Sequence, residues 1–483
     1  MTIVTVQRVI GIFLAMFSLT MLPPIGVSLL YGDGTWAAFA ESFVLIAGLG
    51  VLLWWPARHK RRDLRLRDGF VVVALFWIVL GCFGALPLLL VEVPDMTLTD
   101  ALFESMAGLT TTGGTVLVGL DALPRAVLYY RHQLQWFGGL GLIVLAVAVL
   151  PMLGVGGMQL YRAEMPGPVK DNKLTPRITQ TAKLLWYVYL GITIVCAAAY
   201  WLAGMSVFDA VCHSFSTVAI GGFSTHDASI GYFDDAAVEA VAIFFMVVAG
   251  ANFALHFLAW REKSLRNYFA DSEFRAYCGF LAALTALVVG YLIYTQYYAT
   301  TADAFRRGIF QVVSIATTTG YTTAAFSEWP GALPMLLVYA SFVGGCAGST
   351  AGGMKVIRWL LMYKQGVREV QRLVHPSAEI PVKLGGRGVR SRVVDSVWGF
   401  FAIYIVVFAA LMLIFLSTEL DPVSAFSAVA AMLNNLGPGV GDVAANYVDL
   451  PIVAKWASVC AMLLGRLEIF TLLVLITPTF WRR

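Results

Sequence analysis

Four short stretches of the sequence could bind a dehydrated cation through backbone carbonyl oxygens. We call them turns 1 to 4, and each ends in a glycine: Thr110, Thr111, Thr112 and Gly113; Ala219, Ile220, Gly221 and Gly222; Thr317, Thr318, Thr319 and Gly320; Asn434, Asn435, Leu436 and Gly437. Glycine tolerates positive φ, which lets successive carbonyl groups point to one side of the chain. Four such turns around one axis would form a ring of oxygens that can replace the hydration shell of a potassium ion.

The four turns recur about every 100 residues, and this repetition supports the interpretation. A single turn of this kind is also typical of an ordinary connection between helices. Four turns at matching positions, each between the same kinds of helix, favour a ring. In turn 2 the ring glycine is either Gly221 or Gly222, and we prefer Gly222 because Phe223 then parallels Tyr321.

The segment before each turn must hold that turn in place. Each segment is half apolar and has about 10–13 residues, which is too short to span a bilayer as a helix. An aspartate at or near each start can cap a helix and favours its positive end. We therefore predict four re-entrant half-helices with their negative ends toward the turns: Asp100 to Leu109, Phe208 to Thr217, Asp303 to Ile315 and Asp421 to Leu433.

The composition requires that most of the chain lies in lipid. Of 483 residues, 59% are hydrophobic and 13% are charged, whereas soluble domains carry about 25% charged residues. About ten apolar runs of ~20 residues are present, each long enough to span a bilayer as a helix. The first run, from about Val9 to Leu30, lacks a clear small-residue cleavage site, so we expect a retained helix and not a signal peptide.

The distribution of charge predicts the orientation. Basic residues concentrate in the segments 58–67, 162–183, 261–275 and 355–392, whereas the intervening segments are acidic or neutral. Loops rich in Lys and Arg stay in the cytoplasm. This alternation predicts ten spans with both termini cytoplasmic.

The predicted fold is an all-α membrane protein with four tandem helix–pore-loop–helix repeats around one pseudo-fourfold pore. A two-helix N-terminal hairpin and a basic loop (1–67) precede repeat 1 (68–179), repeat 2 (180–273), repeat 3 (274–391) and repeat 4 (392–483). Each repeat starts and ends on the same side, so the repeats are parallel.

Two features follow the turns inside apolar runs. The helix from about Leu333 to Tyr363 contains a Gly-rich loop, residues 344–353, which includes Gly344, Gly345, Gly348, Ser349, Thr350, Gly352 and Gly353. Each glycine in a helix interior costs about 1 kcal/mol, so we expect unwinding; close helix packing through G-x-x-x-G is the alternative. Arg466 lies mid-way along the last run, where it would form a charged barrier in the pore or a structural pair with Glu468.

These motifs resemble the Trk/Ktr/HKT superfamily of potassium transporters, most closely its bacterial TrkH-like membrane subunits. The similarity covers nearly the whole chain and includes Trp136-Phe-Gly-Gly-Leu-Gly in repeat 1. It implies potassium preference with glycine at position 113, an intramembrane gate at residues 344–353 below the filter, and a pore arginine at Arg466. It also implies the bacterial inner membrane, a homodimer, and gating by a cytosolic TrkA-like nucleotide-binding ring, for which the basic loops 162–183 and 355–392 are candidate docking surfaces.

No enzyme motif is present, since the sequence lacks a nucleophile elbow, H-E-x-x-H and Walker A. The six cysteines are scattered singly and include no C-x-x-C, so zinc is not expected. We expect no intrinsic cofactor, no nucleic-acid partner, and potassium as the sole metal, bound by filter carbonyls. The remaining alternative is a proton- or sodium-coupled secondary transporter with alternating access.

Overall fold

Helices make up nearly all of the regular structure. The computed structural model describes residues 3–58, 66–139, 141, 178–467 and 469–481. Most of the basic segments 58–67 and 162–183 lies outside the described residues. So do the end of the second helix of repeat 1, Glu468, and the terminal arginines 482 and 483.

An N-terminal hairpin precedes the repeats. Its helices are α1 (Ile3–Ser18), α2 (Leu22–Tyr31) and α3 (Trp36–Ala57). Helices α1 and α3 cross at Gly11 and Gly50, where a Cβ on either glycine would fall within 3.0 Å of the facing backbone. Small residues that let two backbones approach are typical of helix contacts in lipid, where apolar surfaces gain nothing by leaving the solvent.

Four segments of the chain then follow the same order: a long first helix, a short buried helix and a second helix. Repeat 1 contains α4 (Leu66–Gly84), α5 (Leu86–Leu90), α6 (Leu98–Leu109) and α7 (Arg125–Gly139). Repeat 2 contains α8 (Ile178–Leu202), α9 (Val207–Ala219), α10 (Ala236–Ala249), α11 (Phe253–Glu262) and α12 (Arg266–Ala270).

The same order continues in the second half. Repeat 3 contains α13 (Ser272–Tyr294), α14 (Thr301–Ala316), α15 (Leu333–Ser341), α16 (Val356–Val374), β1 (Lys383–Leu384) and β2 (Arg387–Gly388). The two short strands pair antiparallel. Repeat 4 contains α17 (Ser391–Leu416), α18 (Pro422–Leu433), α19 (Ile452–Arg466), α20 (Phe470–Ile476) and α21 (Pro478–Trp481).

The short helices α6, α9, α14 and α18, which we call the half-helices, lie in the core. In α6 every residue from Ala101 to Leu109 is buried. The first helix of repeat 4 instead exposes Ile405, Val406 and Leu413. An apolar outer surface around a buried interior is what a chain solvated by lipid requires.

Six helices of the described residues are long and apolar enough to cross a membrane, and a seventh results if α10 and α11 are one bent span. The predicted number of ten stays a prediction. The difference arises in the second helices of the repeats. Helix α7 ends where the description ends, α10 and α11 meet at a 94° bend, and the second helices of repeats 3 and 4 are interrupted.

Candidate functional site

The half-helices begin at side-chain caps. In three of them a hydroxyl residue caps the helix and accepts a hydrogen bond from the aspartate N–H three residues later, at 3.0–3.2 Å: Thr97 with Asp100, Ser206 with Asp209, and Thr300 with Asp303. In repeat 4 the aspartate is itself the cap, and Asp421 accepts from two N–H groups. All four aspartates lie at or near the helix starts, as predicted, but in three repeats the N-cap is a hydroxyl residue three positions earlier and not the aspartate.

Each half-helix ends in the same backbone structure. The N–H of the residue before each turn glycine donates to the carbonyl five residues earlier, at 2.8–2.9 Å, as in a Schellman cap. The residue two before the glycine has a φ of 53–65°, and the glycine a φ of 76–94°. Three of these positive-φ residues, Thr111, Ile220 and Thr318, are β-branched. Positive φ at such a residue costs of the order of 1–3 kcal/mol and persists where surrounding structure imposes it.

This repeated pattern fixes the register of turn 2. Positive φ falls on Ile220 and Gly222, as it falls on Thr318 and Gly320 in turn 3. Gly222 is therefore the counterpart of the other turn glycines, and Gly221 precedes it.

The four turns meet in a closed ring. A Cβ added to any of the four glycines would fall within 3.0 Å of a carbonyl oxygen in the next turn. The contacts run from Gly113 to the oxygen of Gly221, from Gly222 to that of Thr319, from Gly320 to that of Leu436, and from Gly437 to that of Thr112. Each contact uses the oxygen of the residue just before the next turn's glycine, and the fourth contact returns to turn 1, so the ring is closed. A side chain at any of the four glycines would break this ring.

Side chains around the ring satisfy its outer surface. Thr110 and Thr112 share a hydrogen bond of 2.7 Å between hydroxyls, and Thr317 and Thr319 do the same. The amide of Asn435 donates to the Thr112 hydroxyl at 2.9 Å, which ties repeat 4 to repeat 1. These contacts use the threonines and asparagines that the sequence places in the turns.

Other supporting groups come from distant residues that sequence reasoning missed. The buried carboxylate of Glu104 pairs with Arg131 at 2.7 Å and accepts from the N–H of Val116. The Tyr447 hydroxyl donates to the carbonyl of Gly437 at 2.6 Å. Gln135 contacts turn 2. The Glu104–Arg131 ion pair could have been inferred only from the burial of both residues, and the sequence alone does not reveal burial.

The Gly-rich loop lies against the inner ends of three half-helices. It is non-helical between α15 and α16, so the predicted unwinding is confirmed. The N–H of Gly353 donates to the carbonyl of Asn434 at 3.0 Å, and the N–H of Gly352 to the Thr318 hydroxyl at 2.7 Å. The Thr350 hydroxyl donates to the carbonyl of Val218 at 3.0 Å. The loop thus contacts repeats 2, 3 and 4 directly below the ring.

Arg466 lies at the end of α19 and not in the middle of a continuous helix. The last apolar run, from Ile452 to Phe480, does not form one continuous helix, because Ile469 has a φ of 29°, outside the helical range. The Arg466 guanidinium donates to the carbonyl of Thr350 at 3.1 Å and to the carbonyl of Gly138. It therefore connects the Gly-rich loop to repeat 1. The predicted alternative partner, Glu468, lies outside the described residues.

Two further contacts hold the loop. At the 94° bend of repeat 2, the carbonyl of Gly250 accepts the N–H of Cys346 at 2.8 Å. The carboxylate of Glu273, near the start of α13, accepts the N–H groups of Ala347 at 2.7 Å and Ile357 at 3.2 Å. Most of these hydrogen bonds thus use backbone N–H or C=O groups of the loop, paired with backbone or side-chain groups around it.

At the opposite ends of the half-helices, ion pairs join neighbouring repeats. Lys455 of repeat 4 contacts Asp100 of repeat 1 at 2.7 Å, and Arg306 of repeat 3 contacts Glu239 of repeat 2 at 2.8 Å. These pairs fix the half-helices relative to one another.

A histidine joins repeats 1 and 2 on the same side. His226 contacts Asp121, lies 3.6 Å from the Asp209 carboxylate, and stacks on Tyr232 with a ring distance of 3.5 Å. Burial alone would lower the pKa of His226, but the carboxylates of Asp209 and Asp121 outweigh burial and raise that pKa. Folding thus stabilises the charged form of His226 relative to an unperturbed histidine.

Comparison with known proteins gives one consistent result. A family model described as TrkH, cation transport protein, matches residues 36–482. The Trk system potassium uptake protein TrkH of Halomonas elongata is 57% identical over 483 residues, which covers 100% of both chains. The protein of the same name from Escherichia coli is 53% identical over 477 residues and 99% of both chains.

A solved structure agrees in fold. The crystal structure of the potassium transporter TrkH from Vibrio parahaemolyticus matches with a TM-score of 0.91 and 52% sequence identity, and covers 100% of both chains. These relatives are named as transport proteins and not as enzymes. The chain described here belongs to the TrkH family of cation transport proteins.

Proposed function

We propose that this protein takes up potassium across the bacterial inner membrane through a channel-like pore. The ring of turns 1 to 4 is the selectivity filter, and the permeant ion is bound by carbonyl oxygens of the turn residues. The single observation that carries the proposal is the cyclic contact of each turn glycine with a carbonyl oxygen of the next turn. Such a ring presents closely spaced oxygens that can substitute for water around potassium.

In the same proposal, the Gly-rich loop is the gate and Arg466 adds an electrostatic barrier. The loop lies against the ends of the half-helices of repeats 2, 3 and 4, and Arg466 connects it to repeat 1. An arginine at this depth is costly in lipid unless carbonyls or a cavity compensate its charge, and the two carbonyls that it contacts provide this.

The gate would respond to a partner chain. The relatives are named as proteins of a Trk system, which supports a multi-component assembly. We propose a homodimer that binds a TrkA-like nucleotide-binding ring on its cytoplasmic face, with both termini on that face. Helix α16, which follows the gate directly and carries Lys364, Arg368 and Arg372, is the described candidate for the contact.

A pore fits the fold better than alternating access. Secondary transporters of that kind commonly build their site at the interface of inverted repeats. Here four re-entrant half-helices end at one ring, each with the same pair of positive-φ residues. A fixed ring needs no exchange of inward and outward states for an ion to pass.

Gly113→Ser tests the filter. The added side chain would press on the carbonyl oxygen of Gly221. We expect sodium permeation relative to potassium to rise about tenfold, which corresponds to ~1.4 kcal/mol. Flux of both ions in proteoliposomes measures the ratio. Gly119→Ser is the matched control, because Gly119 also has positive φ but no atom within 4 Å of an added Cβ. An unchanged ratio in folded Gly113→Ser protein would remove this turn from the filter.

A further inference from the structure

Turn 2 differs from the other turns at the position just before its ring glycine. That position holds a residue with a side chain in the other three turns, Thr112, Thr319 and Leu436, but Gly221 in turn 2. Gly221 is not among the residues with positive φ. Backbone conformation therefore does not explain why a glycine stands there.

The space beside Gly221 is filled from another repeat. A Cβ on Gly221 would fall within 3.0 Å of three side-chain atoms of Gln135, which lies on α7 of repeat 1. Gln135 is fully buried. Its amide thus occupies the volume that the side chain of residue 221 would need, and the two positions are matched in size.

Gln135 also binds the backbone of turn 2 at two points. Its Nε2 donates to the carbonyl oxygen of Gly221 at 2.6 Å, and its Oε1 accepts the N–H of Phe223 at 3.1 Å. The amide thus bridges the two residues that flank Gly222. A buried amide with both ends paired holds a loop in one position, because breaking either bond leaves an unsatisfied polar group.

The oxygen that Gln135 contacts belongs to the ring. It is the oxygen against which Gly113 packs. Within the described part of the chain, side chains donate to none of the three corresponding oxygens, those of Thr112, Thr319 and Leu436. Among the described residues, the ring therefore has one oxygen that a side chain anchors directly and three that accept no side-chain hydrogen bond.

We propose that Gln135 is a specificity-determining residue of the filter. This inference rests on the proposed function of the ring. A carbonyl oxygen has two lone pairs, so Gly221 can accept from Gln135 and still face an ion. The anchor keeps that oxygen from moving inward around a smaller ion, and so it disfavours sodium. Gln135 acts by positioning Gly221, without being an ion ligand itself.

Two substitutions separate the contacts. Gln135→Glu keeps an acceptor for the N–H of Phe223 but removes the amide donor to Gly221. Gln135→Met keeps the length and removes both hydrogen bonds. We expect each to raise sodium permeability relative to potassium by about two- to tenfold, the scale of one hydrogen bond. Reversal potentials of the full-length protein in a planar bilayer, with potassium on one side and sodium on the other, measure this ratio.

Gln133→Met is the matched control. Gln133 lies on the same helix and is also buried, but its amide donates to the carbonyl of Thr20, away from the ring, at 2.7 Å. We expect a comparable loss of thermal stability and an unchanged permeability ratio. A purely structural role of Gln135 would make the Gln135 and Gln133 variants behave alike.

A paired substitution tests the size match independently. Gly221→Ala alone should abolish transport, because the added methyl group would clash with the Gln135 amide. Adding Gln135→Ala should restore transport with a raised sodium ratio. Normal transport by Gly221→Ala alone, or no rescue by the pair, would overturn the inference, as would an unchanged ratio in folded Gln135→Glu or Gln135→Met. If Gly113→Ser still shifts the ratio in that case, the filter stands and only the role of Gln135 falls; if it too has no effect, both fall.

Discussion

The ring and the region below it are built on different principles. The four turns share one hydrogen-bond pattern, one pair of positive-φ positions and one cyclic contact. The three second helices whose ends are described differ from one another: α10 and α11 meet at a sharp bend, the helix of repeat 3 opens into the Gly-rich loop, and α19 ends at Arg466. To surround an ion, all four turns must have the same geometry, whereas one element is enough to obstruct a pore. Only the ring therefore has to keep fourfold order.

The two regions also differ in how they are held. The turns are continuous with buried helices, and their residues are fixed by caps and by packing without space for a Cβ. The Gly-rich loop is fixed by individual hydrogen bonds from repeats 2 and 4 and from the rest of repeat 3. Single substitutions in the ring should therefore reduce potassium uptake, whereas substitutions that free the Gly-rich loop should raise basal potassium flux.

Among substitutions that compare these two regions, the largest effect is expected for Gly320→Ala. A methyl group at this position would collide with the carbonyl oxygen of Leu436 and distort the ring. We expect potassium uptake to fall on the order of a hundredfold, since strain of 1–3 kcal/mol would act directly on the coordinating atoms. Uptake by potassium-dependent growth and by proteoliposome flux measures this.

Gly119→Ala provides the control for Gly320→Ala. Gly119 has a φ of 72° and Gly320 a φ of 87°, so both variants carry a similar backbone cost of ~1–2 kcal/mol. Only Gly320 contacts the ring. Equal losses of uptake in the two variants would mean that conformational strain, and not ring contact, explains the glycines.

An opposite and smaller effect is expected for Arg466→Ala. The change removes a positive charge and the donors to Thr350 and Gly138. We expect potassium flux without a partner ring to rise about tenfold, the scale of a charged hydrogen bond. Arg466→Lys keeps the charge but lacks the guanidinium fork, so it separates the electrostatic barrier from the hydrogen bonds to Thr350 and Gly138. A decreased flux in folded Arg466→Ala protein would argue against a gate.

The smallest effect is expected for Glu273→Ala, which removes the acceptor for two N–H groups of the gate region. Basal flux should rise two- to threefold, because several other hydrogen bonds still hold the loop. Glu273→Gln keeps an acceptor oxygen and should stay near the wild type. Equal flux in all three proteins would show that Glu273 does not restrain the loop.

The sequence predicts most of the half-helices and turns, which recur in each repeat, but few of the contacts that differ from one repeat to the next. The ends of the half-helices were predicted within two residues, because a glycine turn follows each one. Their starts differ by one or two residues, since Thr97, Ser206 and Thr300 set three of them. The preference for Gly222 over Gly221 agrees with the backbone.

The contacts between repeats could not be predicted. Gln135 and Gly221 are far apart in the chain, and only their packing shows that the amide fills the space beside the glycine. At the end of α19, Arg466 donates to carbonyls of two other repeats, and these contacts too appear only in the folded structure. An apolar run looks the same in sequence whether its helix is continuous or broken.

The most direct measurement is current through the purified full-length protein in a planar bilayer under a potassium gradient, with and without a partner ring. A fixed ring of carbonyl oxygens predicts discrete open-channel currents that reverse at the potassium equilibrium potential. Protein that transports potassium in vesicles but never passes more current than a carrier's turnover allows would contradict it.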